Sequence, residues 1–318
     1  MISFIIIGYN EGWKLTKSLQ SVFETISYNG LKNAEVIYVD SKSSDDSIGR
    51  AKIFRDIKIC QIIGDTNAAI ARNIGALEAK GDIYFFIDGD MEISKDCISQ
   101  ILNENQQLIY PFLSGIFDDI IYDNNGYYIK TTRRHKLKEG MPDKFEMTTG
   151  GLFVINASLW REVGGMDTRF NRSQDLDFGL RLASKRMPLC RKSIFMAKHH
   201  TTSYYSRQSA ITMVKYSALL WRKHITNKYY YSILFKSHYT FIALILSFFI
   251  AILGYPMIWL FYLLSIIYKT YSAHIKDRKI NVFRLFLQFI LKDFYFIFLF
   301  IFFNPQQKAI QYIIIKDS

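Results

Sequence analysis

Asp88-Gly89-Asp90 is the part of this 318-residue chain whose side chains are best spaced for chemistry. It follows Ile83-Tyr84-Phe85-Phe86-Ile87, an apolar run rich in aromatic and branched residues that reads as a strand buried on both faces. In extended backbone, residues two apart point to the same side, so both carboxylates can face one site at the strand's C-terminal end. Gly89 lets the backbone come close to a ligand there. Ligands of open α/β sheets bind outside that end, and paired hard oxygens suit Mg²⁺ or Mn²⁺ carrying a phosphate. Asp-Gly-Asp also makes ordinary turns, so the reading depends on what other strands bring to the same edge.

Residues 2–7 form an apolar strand ending at Gly8-Tyr9-Asn10-Glu11-Gly12, after which Leu15, Leu19, Val22, Phe23 and Ile26 recur at helical spacing. Glu35 to Val39 predict a second strand, which stops at Asp40 before a Ser- and Asp-rich turn through Ser47. A third strand is expected at about 57–63, and a helix from Ala68 to Ala79 carries Arg72 and Asn73. This alternation predicts an α/β fold with a doubly wound, mostly parallel sheet and helices on both faces. Tyr9, Glu11, Asp40, Asp88 and Asp90 then gather along one edge. No Gly-x-Gly-x-x-Gly follows the first strand and no Gly-Lys-Ser/Thr loop occurs, which disfavours a dinucleotide-dependent oxidoreductase. A phosphate would be held through a metal, not by backbone amides. Residues 109–146 read as an irregular polar loop with Asp118-Asp119 and Arg133-Arg134-His135-Lys136, Phe145 to Ile155 as a strand, and 191–197 as the last strand.

Tyr9-Asn10-Glu11, Val39-Asp40-Ser41-x-Ser43-x-Asp45, Ala71-Arg72-Asn73-x-Gly75, Ala79-x-Gly81-Asp82 and Phe86-x-Asp88-x-Asp90 together resemble the family 2 glycosyltransferases of the GT-A fold. Thr149-Gly150-Gly151, Val163-Gly164-Gly165-Met166-Asp167 and Gln174-Asp175-x-Asp177-x-x-x-Arg181-Leu182 resemble the acceptor half of that family. The likeness covers roughly residues 2–205, and the ordered set is specific to the fold although each motif alone is not. The resemblance implies a nucleotide-sugar donor, most often a UDP-sugar, touched by Tyr9, Glu11, Asp40 and Arg72. It implies that Asp90 is a direct metal ligand, that Asp88 supports the ribose or the metal, and that Asp175 is the catalytic base. Gly150, Gly151 and Asp177 are expected at the acceptor. Related enzymes use a histidine near His199-His200 for the metal or diphosphate, and His199 is the favoured member of the pair. A cation offsets charge on the leaving diphosphate, and one carboxylate takes the acceptor proton, so in-line attack inverts the anomeric carbon. Two positions depart from the family pattern. Gln174 stands where Glu is common, which keeps the base, and Gly8 stands where Thr or Ser is common, which removes a nucleotide contact.

The chain is 50 % hydrophobic, but unevenly so. Residues 1–238 have the composition of a soluble α/β protein, whereas Tyr239 to Tyr268 carries no formal charge and Phe283 to Phe303 is nearly as apolar. As one straight helix the first stretch would be ~45 Å long, against a hydrocarbon core of ~30 Å. Gly254 and Pro256 at its middle suit a kink or a hairpin. Between Phe178 and His238 there are twelve Lys or Arg and no Asp or Glu, which accounts for the whole net charge of +12. A basic segment beside an apolar one suits the anionic cytoplasmic leaflet, and no nucleic-acid recognition module accompanies it. Arg207 to Lys223 could form an amphipathic surface helix. Two full spans would place Lys269, Lys276, Arg278 and Lys279 outside the cytoplasm, against the positive-inside tendency, while a re-entrant hairpin with an interfacial helix would not. Cys60, Cys97 and Cys190 have neither metal nor disulfide spacing and suit a reducing compartment. No secretory signal is expected before the first strand.

The expected organisation is a transferase domain over 1–205, a basic juxtamembrane segment over 206–238 and a membrane-associated region over 239–318. The expected activity is inverting, Mg²⁺- or Mn²⁺-dependent sugar transfer to a lipid-linked or other glycan acceptor in surface polysaccharide synthesis. The catalytic domain is expected in the cytoplasm, at the cell membrane, with no nucleic-acid partner. The alternatives are transfer to a polyprenyl phosphate, or an inactive scaffold of the same fold.

Overall fold

Strand β1 (Ile2–Gly8) is buried along its whole length, as its unbroken apolar run requires of a central strand. It is followed by α1 (Trp13–Tyr28), β2 (Ala34–Asp40), α2 (Ser47–Lys52), β3 (Lys58–Ile62), α3 (Ala68–Glu78) and β4 (Ile83–Asp88). β1 pairs in parallel with β2 on one side and β4 on the other, setting Gly8 opposite Asp40 and Ile7 opposite Asp88. This register brings three strand ends level. Helices cover both faces: Leu15, Leu19 and Val22 pack with Phe4, Ile6 and Phe85, and Ile70 and Ile74 with Ile5, Ile37 and Phe86. Gly75 lets α3 sit close to β1, since a Cβ there would lie 2.1 Å from Ile5 Cγ2.

The computed structural model describes residues 1–135, 137–202, 210–276 and 281–317, with backbone alone at 210–213 and 276. Lys136, Arg207, Asp277, Arg278 and Lys279 therefore lie outside the described residues. Two compact units are present, residues 1–207 with 306–318, and residues 208–305. In the first, β4 is followed by β5 (Met91–Ile93), β6 (Phe112–Tyr122), β7 (Tyr128–Arg133), β8 (Lys144–Glu146), β9 (Leu152–Asn156), α4 (Ala157–Glu162), α5 (Gln174–Ser184) and β10 (Leu189–Thr202). The parallel order holds through β4, and beyond it the sheet is mixed. β9 runs antiparallel to β4 and β6, β6 parallel to β10, and β5 antiparallel to β10.

Residues 109–146 are not the irregular loop expected of their polarity. They contain the β6–β7 hairpin, in which Asp118 sits opposite Arg133 and forms an ion pair with it. Cross-strand charge pairs of this kind make a strand look like a loop by composition. Phe145 to Ile155 is likewise not one strand, because Gly150 turns the chain at φ +69°. β10 runs on past residue 197, which places His199 and His200 inside a strand.

The second unit comprises α6 (Ala210–His224), α7 (Lys228–Ile252), α8 (Trp259–Lys276) and α9 (Val282–Phe302). α7 and α9 are long and apolar enough to cross a membrane. α7 has a kink at His238, and Gly254 (φ +94°) with Pro256 turns the chain into α8. The chain then departs from the expected 239–318 boundary, because its last residues belong to the first unit. β11 (Tyr312–Lys316) pairs antiparallel with β3, giving the order β11-β3-β2-β1-β4-β9-β6-β10-β5, with β7 beside β6 and β8 beside β10. Tyr312 donates to Glu78, and Lys58 bridges Glu78 at 2.9 Å and Asp317 at 3.2 Å. Thr168 Oγ1 donates to Gln307 Oε1 at 2.7 Å, and the Lys308 amide donates to Thr168 Oγ1 at 2.9 Å. The run Ile313-Ile314-Ile315 shares its composition with the helices before it, so apolarity alone did not separate them.

Deleting residues 306–318 from the full chain is expected to bare the β3 edge, lowering the unfolding temperature by roughly 5 °C and raising light scattering on heating. Differential scanning calorimetry with scattering checks this, and an unchanged, aggregation-free transition would count against the tail as part of the sheet.

Candidate active site

The level ends of β1, β2 and β4 open into a cleft of about 310 Å³, with Tyr9, Glu11, Ser41, Asn67, Asp88 and Asp90 among its walls. Asp88 leaves the end of β4 and meets Arg72, projected from α3, at 2.6 Å. Arg72 is buried, lies over the Phe153 ring at 5.9 Å, and keeps Nε and Nη1 without partners among the described residues. The Asp88 amide donates to the Gly151 carbonyl at 2.9 Å, and a Cβ on Gly151 would stand 2.2 Å from Asp88 Oδ2. Only glycine admits the carboxylate there. Desolvation pushes the Asp88 pKa up; Arg72 opposes it, Asp90 adds to it, His199 opposes it and Asp175 adds to it.

Asp90 stands on the other side of Gly89. Its Oδ2 lies 3.2 Å from His199 Nε2 and 3.9 Å from Lys14 Nζ. Lys14 also bonds Glu11 at 2.5 Å. Burial pushes the Glu11 carboxyl up, Asp90 pushes it further, and it reaches about 7 despite Lys14. β5 runs back along β10 immediately after Asp90, which puts His199 beside it. His199 Nδ1 lies 2.7 Å from Asp119 Oδ1. Burial lowers the His199 pKa, but its bonds to Asp119 and Asp90 outweigh that and hold it at about 10. His200 faces a different set of neighbours, with Nδ1 2.9 Å from Tyr122 Oη and Nε2 3.0 Å from Glu92 Oε2. Of the two histidines, His199 is the one within hydrogen-bond distance of Asp90.

No group of three His, Cys, Asp or Glu suited to hold a metal occurs among the described residues. Small hard cations on nucleotides need fewer, since one or two carboxylates plus substrate phosphates suffice. Asp90 and His199 stand side by side, and they fit that mode where a cation takes the place of the proton between them. Asp88 fits less well as a ligand, because its Oδ1 is already committed to Arg72.

Two expected contacts are not where the resemblance put them. Asp40 is fully buried, accepting from Tyr38 Oη at 2.9 Å, the Ser43 amide at 2.9 Å and Gln61 Nε2 at 3.3 Å. It braces the loop after β2, and Ser41 is the neighbour that reaches the cleft. Asp177 is also fully buried, paired with Arg181 at 3.0 Å, and Arg181 donates to the carbonyls of Val163 and Gly165. It secures the Gly164-Gly165 turn instead of meeting an acceptor. Asp175, in the first turn of α5, is half-buried and has no hydrogen bond or ion pair among the described residues. Its charge is felt at Asp88. Gly150 adjoins Phe117 at the turn before Gly151.

Sequence reasoning missed Lys14, although its i+3 spacing from Glu11 was visible, and Asp119, hidden in the supposed loop. It also missed Arg191, which is fully buried and donates to Glu146, Ser114 and the carbonyls of Gly115, Thr148 and Thr149. That side chain secures the segment leading to Gly150-Gly151, and nothing local in the sequence marks it.

Residues 3–163 match glycosyl transferase family 2. The chain belongs to that family. It is therefore a glycosyltransferase with a GT-A fold. It is 26 % identical over 247 residues to the amylovoran biosynthesis glycosyltransferase AmsB of Erwinia amylovora, covering 72 % of this chain and 80 % of AmsB. With polypeptide N-acetylgalactosaminyltransferase 3 of Drosophila melanogaster it shares 30 % identity over 204 residues, 52 % of this chain but only 29 % of that enzyme. Among solved structures, GalNAc-T7 with UDP, GalNAc and Mn²⁺ matches at a TM-score of 0.56 and 17 % identity, over 72 % of this chain and 49 % of the other. TarS 1–349 of S. aureus with UDP-GlcNAc matches at 0.50 and 15 % identity, over 70 % and 64 %. At such identities the structural likeness is one of fold.

Two substitutions distinguish these placements. Asp177→Asn is expected to cost about 3 kcal/mol of stability by stranding Arg181, measured by urea unfolding, with the acceptor KM unchanged in the folded fraction. Gly151→Ala is expected to push Asp88 off Arg72, costing about 3 kcal/mol of stability and, unlike Asp177→Asn, lowering kcat at least ~100-fold in the folded fraction, measured by urea unfolding and steady-state transfer kinetics.

Proposed function

We propose that this family 2 enzyme transfers a sugar, with inversion, from a nucleoside diphosphate, most simply a UDP-sugar, to a hydroxyl of a lipid-linked glycan. The observation carrying this reading is Asp175, a half-buried carboxylate without a partner among the described residues, within electrostatic reach of Asp88. Tyr9 and Glu11, which line the cleft, would meet the nucleotide, and Arg72 holds Asp88 in place from behind. Asp90 and His199 would hold a divalent cation, which when bound offsets the charge gathering on the leaving diphosphate. Asp175 takes the proton of the acceptor hydroxyl as that oxygen attacks the anomeric carbon, and the bond to the diphosphate breaks on the opposite side. A single base and in-line attack give inversion. UDP and Mn²⁺ in the GalNAc-T7 structure, and UDP-GlcNAc in that of TarS, support the donor and metal classes. The amylovoran role of AmsB supports a polysaccharide product.

We also propose that the second unit attaches the enzyme to the cytoplasmic face of the cell membrane. Its helices expose Phe249, Leu253, Met257, Phe261, Phe283 and Phe298 to the surroundings. Lys215, Arg222, Lys223, Lys228 and Lys236 precede the apolar stretch with no acidic residue among them.

Purified full-length protein with a panel of UDP-sugars and Mn²⁺ tests the chemistry. Asp175→Asn is expected to lower donor turnover ~10³-fold while UDP still binds, and Asp90→Ala or EDTA to abolish turnover. An active Asp175→Asn enzyme would remove the base from this account.

A further inference from the structure

We propose that the helical unit enters one leaflet only, as a re-entrant α7–α8 hairpin with α9 lying in the interface, and crosses the bilayer nowhere. The proposal rests on the membrane reading above and deepens it. Its first support is topological. The chain leaves the first unit after β10, which is paired with β6 up to Thr202, and returns to it as β11 on β3. A chain that leaves and rejoins one folded domain must cross a bilayer an even number of times. Three crossings by α7, α8 and α9 are thereby excluded.

The second support is the hairpin itself. α8 folds back along α7, so that Tyr239 meets Tyr268 with ring centroids 6.4 Å apart. Lys269 Nζ donates to Thr240 Oγ1 at 2.8 Å, and Ser247 Oγ donates to the Ile258 carbonyl at 3.2 Å. By Lys269 the chain is level again with Thr240, so α9 starts on the side where α7 began. If α9 crossed, the tail could not reach β3. α9 therefore does not cross, although its length and composition would allow it.

Depth settles what remains. α7 as a whole is long and apolar enough to cross, but the kink at His238 divides a first part that carries Lys228 and Lys236 from its straight part, residues 239–252. Those residues rise ~21 Å, against a hydrocarbon core of ~30 Å. The hairpin tip is apolar and exposed, with Leu253 and Met257 each at 74 %. At its mouth stand Lys269, Thr240 and the buried Asp293 of α9. An apolar tip too short to reach the far side, with charge at its mouth, fits insertion to about mid-bilayer. α9 presents Phe283, Leu291, Phe294, Phe298 and Phe302 as an exposed apolar face along its length, as a helix lying in the interface would. The arrangement also keeps Lys269 on the cytoplasmic side, in accord with the positive-inside tendency.

Cysteine labelling of the full chain in sealed vesicles tests this. Cys60, Cys97 and Cys190 are buried and contribute little background. Leu253→Cys and Met257→Cys lie on the exposed turn, where the fold tolerates them, and Lys185→Cys reports the catalytic side. A membrane-impermeant maleimide is applied to inside-out and right-side-out vesicles from expressing cells. The expected result is that Lys185→Cys labels in inside-out vesicles only, while the two tip cysteines label in neither until detergent is added. Labelling of the tip from the face opposite Lys185→Cys means that the hairpin crosses, and it overturns the proposal. Tip labelling from the same face, in protein that stays with the membrane, overturns insertion. Protein recovered in the soluble fraction overturns the membrane reading beneath it.

Discussion

The ion pair between Arg72 and Asp88 is the contact on which the catalytic unit depends. It joins α3 to the end of β4, and three features of the chain exist to permit it. The register of β1 sets the end of β4 level with the other strand ends. Gly75 lets α3 approach β1 closely enough for Arg72 to reach. Gly151 leaves room for the carboxylate and supplies a carbonyl to the Asp88 amide. A buried arginine with two unbonded nitrogens is costly in isolation, and its pairing with Asp88 offsets part of that cost.

A second constraint is built across the sheet. β5 turns back along β10 directly after Asp90 and brings His199 to it, while β6, paired with β10 at the same level, brings Asp119 to the far ring nitrogen. One imidazole thus stands between a carboxylate from the turn after β4 and one from β6. Those two carboxylates favour the charged imidazole, so a divalent cation at Asp90 would have to displace the Nε2 proton. Three elements far apart in sequence must fold together before that position exists.

The first four strands were legible because each is an apolar run closed by polar turn residues, and their ends carry the acidic groups that meet in the cleft. The cleft was legible where acidic residues stand at a strand end, as Asp88 and Asp90 do, both of which line it. It was misread where a carboxylate serves the fold. Asp40 and Asp177 have the residue type of a ligand contact, but each is satisfied inside the protein by partners that only the tertiary structure brings near. The β6–β7 hairpin was hidden because its acidic and basic residues pair across strands, and β11 because its isoleucines follow an apolar helical region. Arg191 acts through five acceptors distant in sequence, which no local pattern reveals.

The return of the tail to β3 also ties the two units into one polypeptide loop, so the helices are an insertion in the catalytic domain and not a simple C-terminal appendage. The central claim remains the proposal that Asp90 and His199 hold one cation while Asp175, whose charge is felt at Asp88, takes the acceptor proton. A crystal structure of the full chain with UDP and Mn²⁺, read at the manganese anomalous edge, tests it most directly. The account predicts one manganese peak bound by Asp90, His199 and the diphosphate, with the Asp175 carboxylate open to the cleft. A peak away from both residues, or Asp175 turned into a salt bridge on the outer surface, would contradict it.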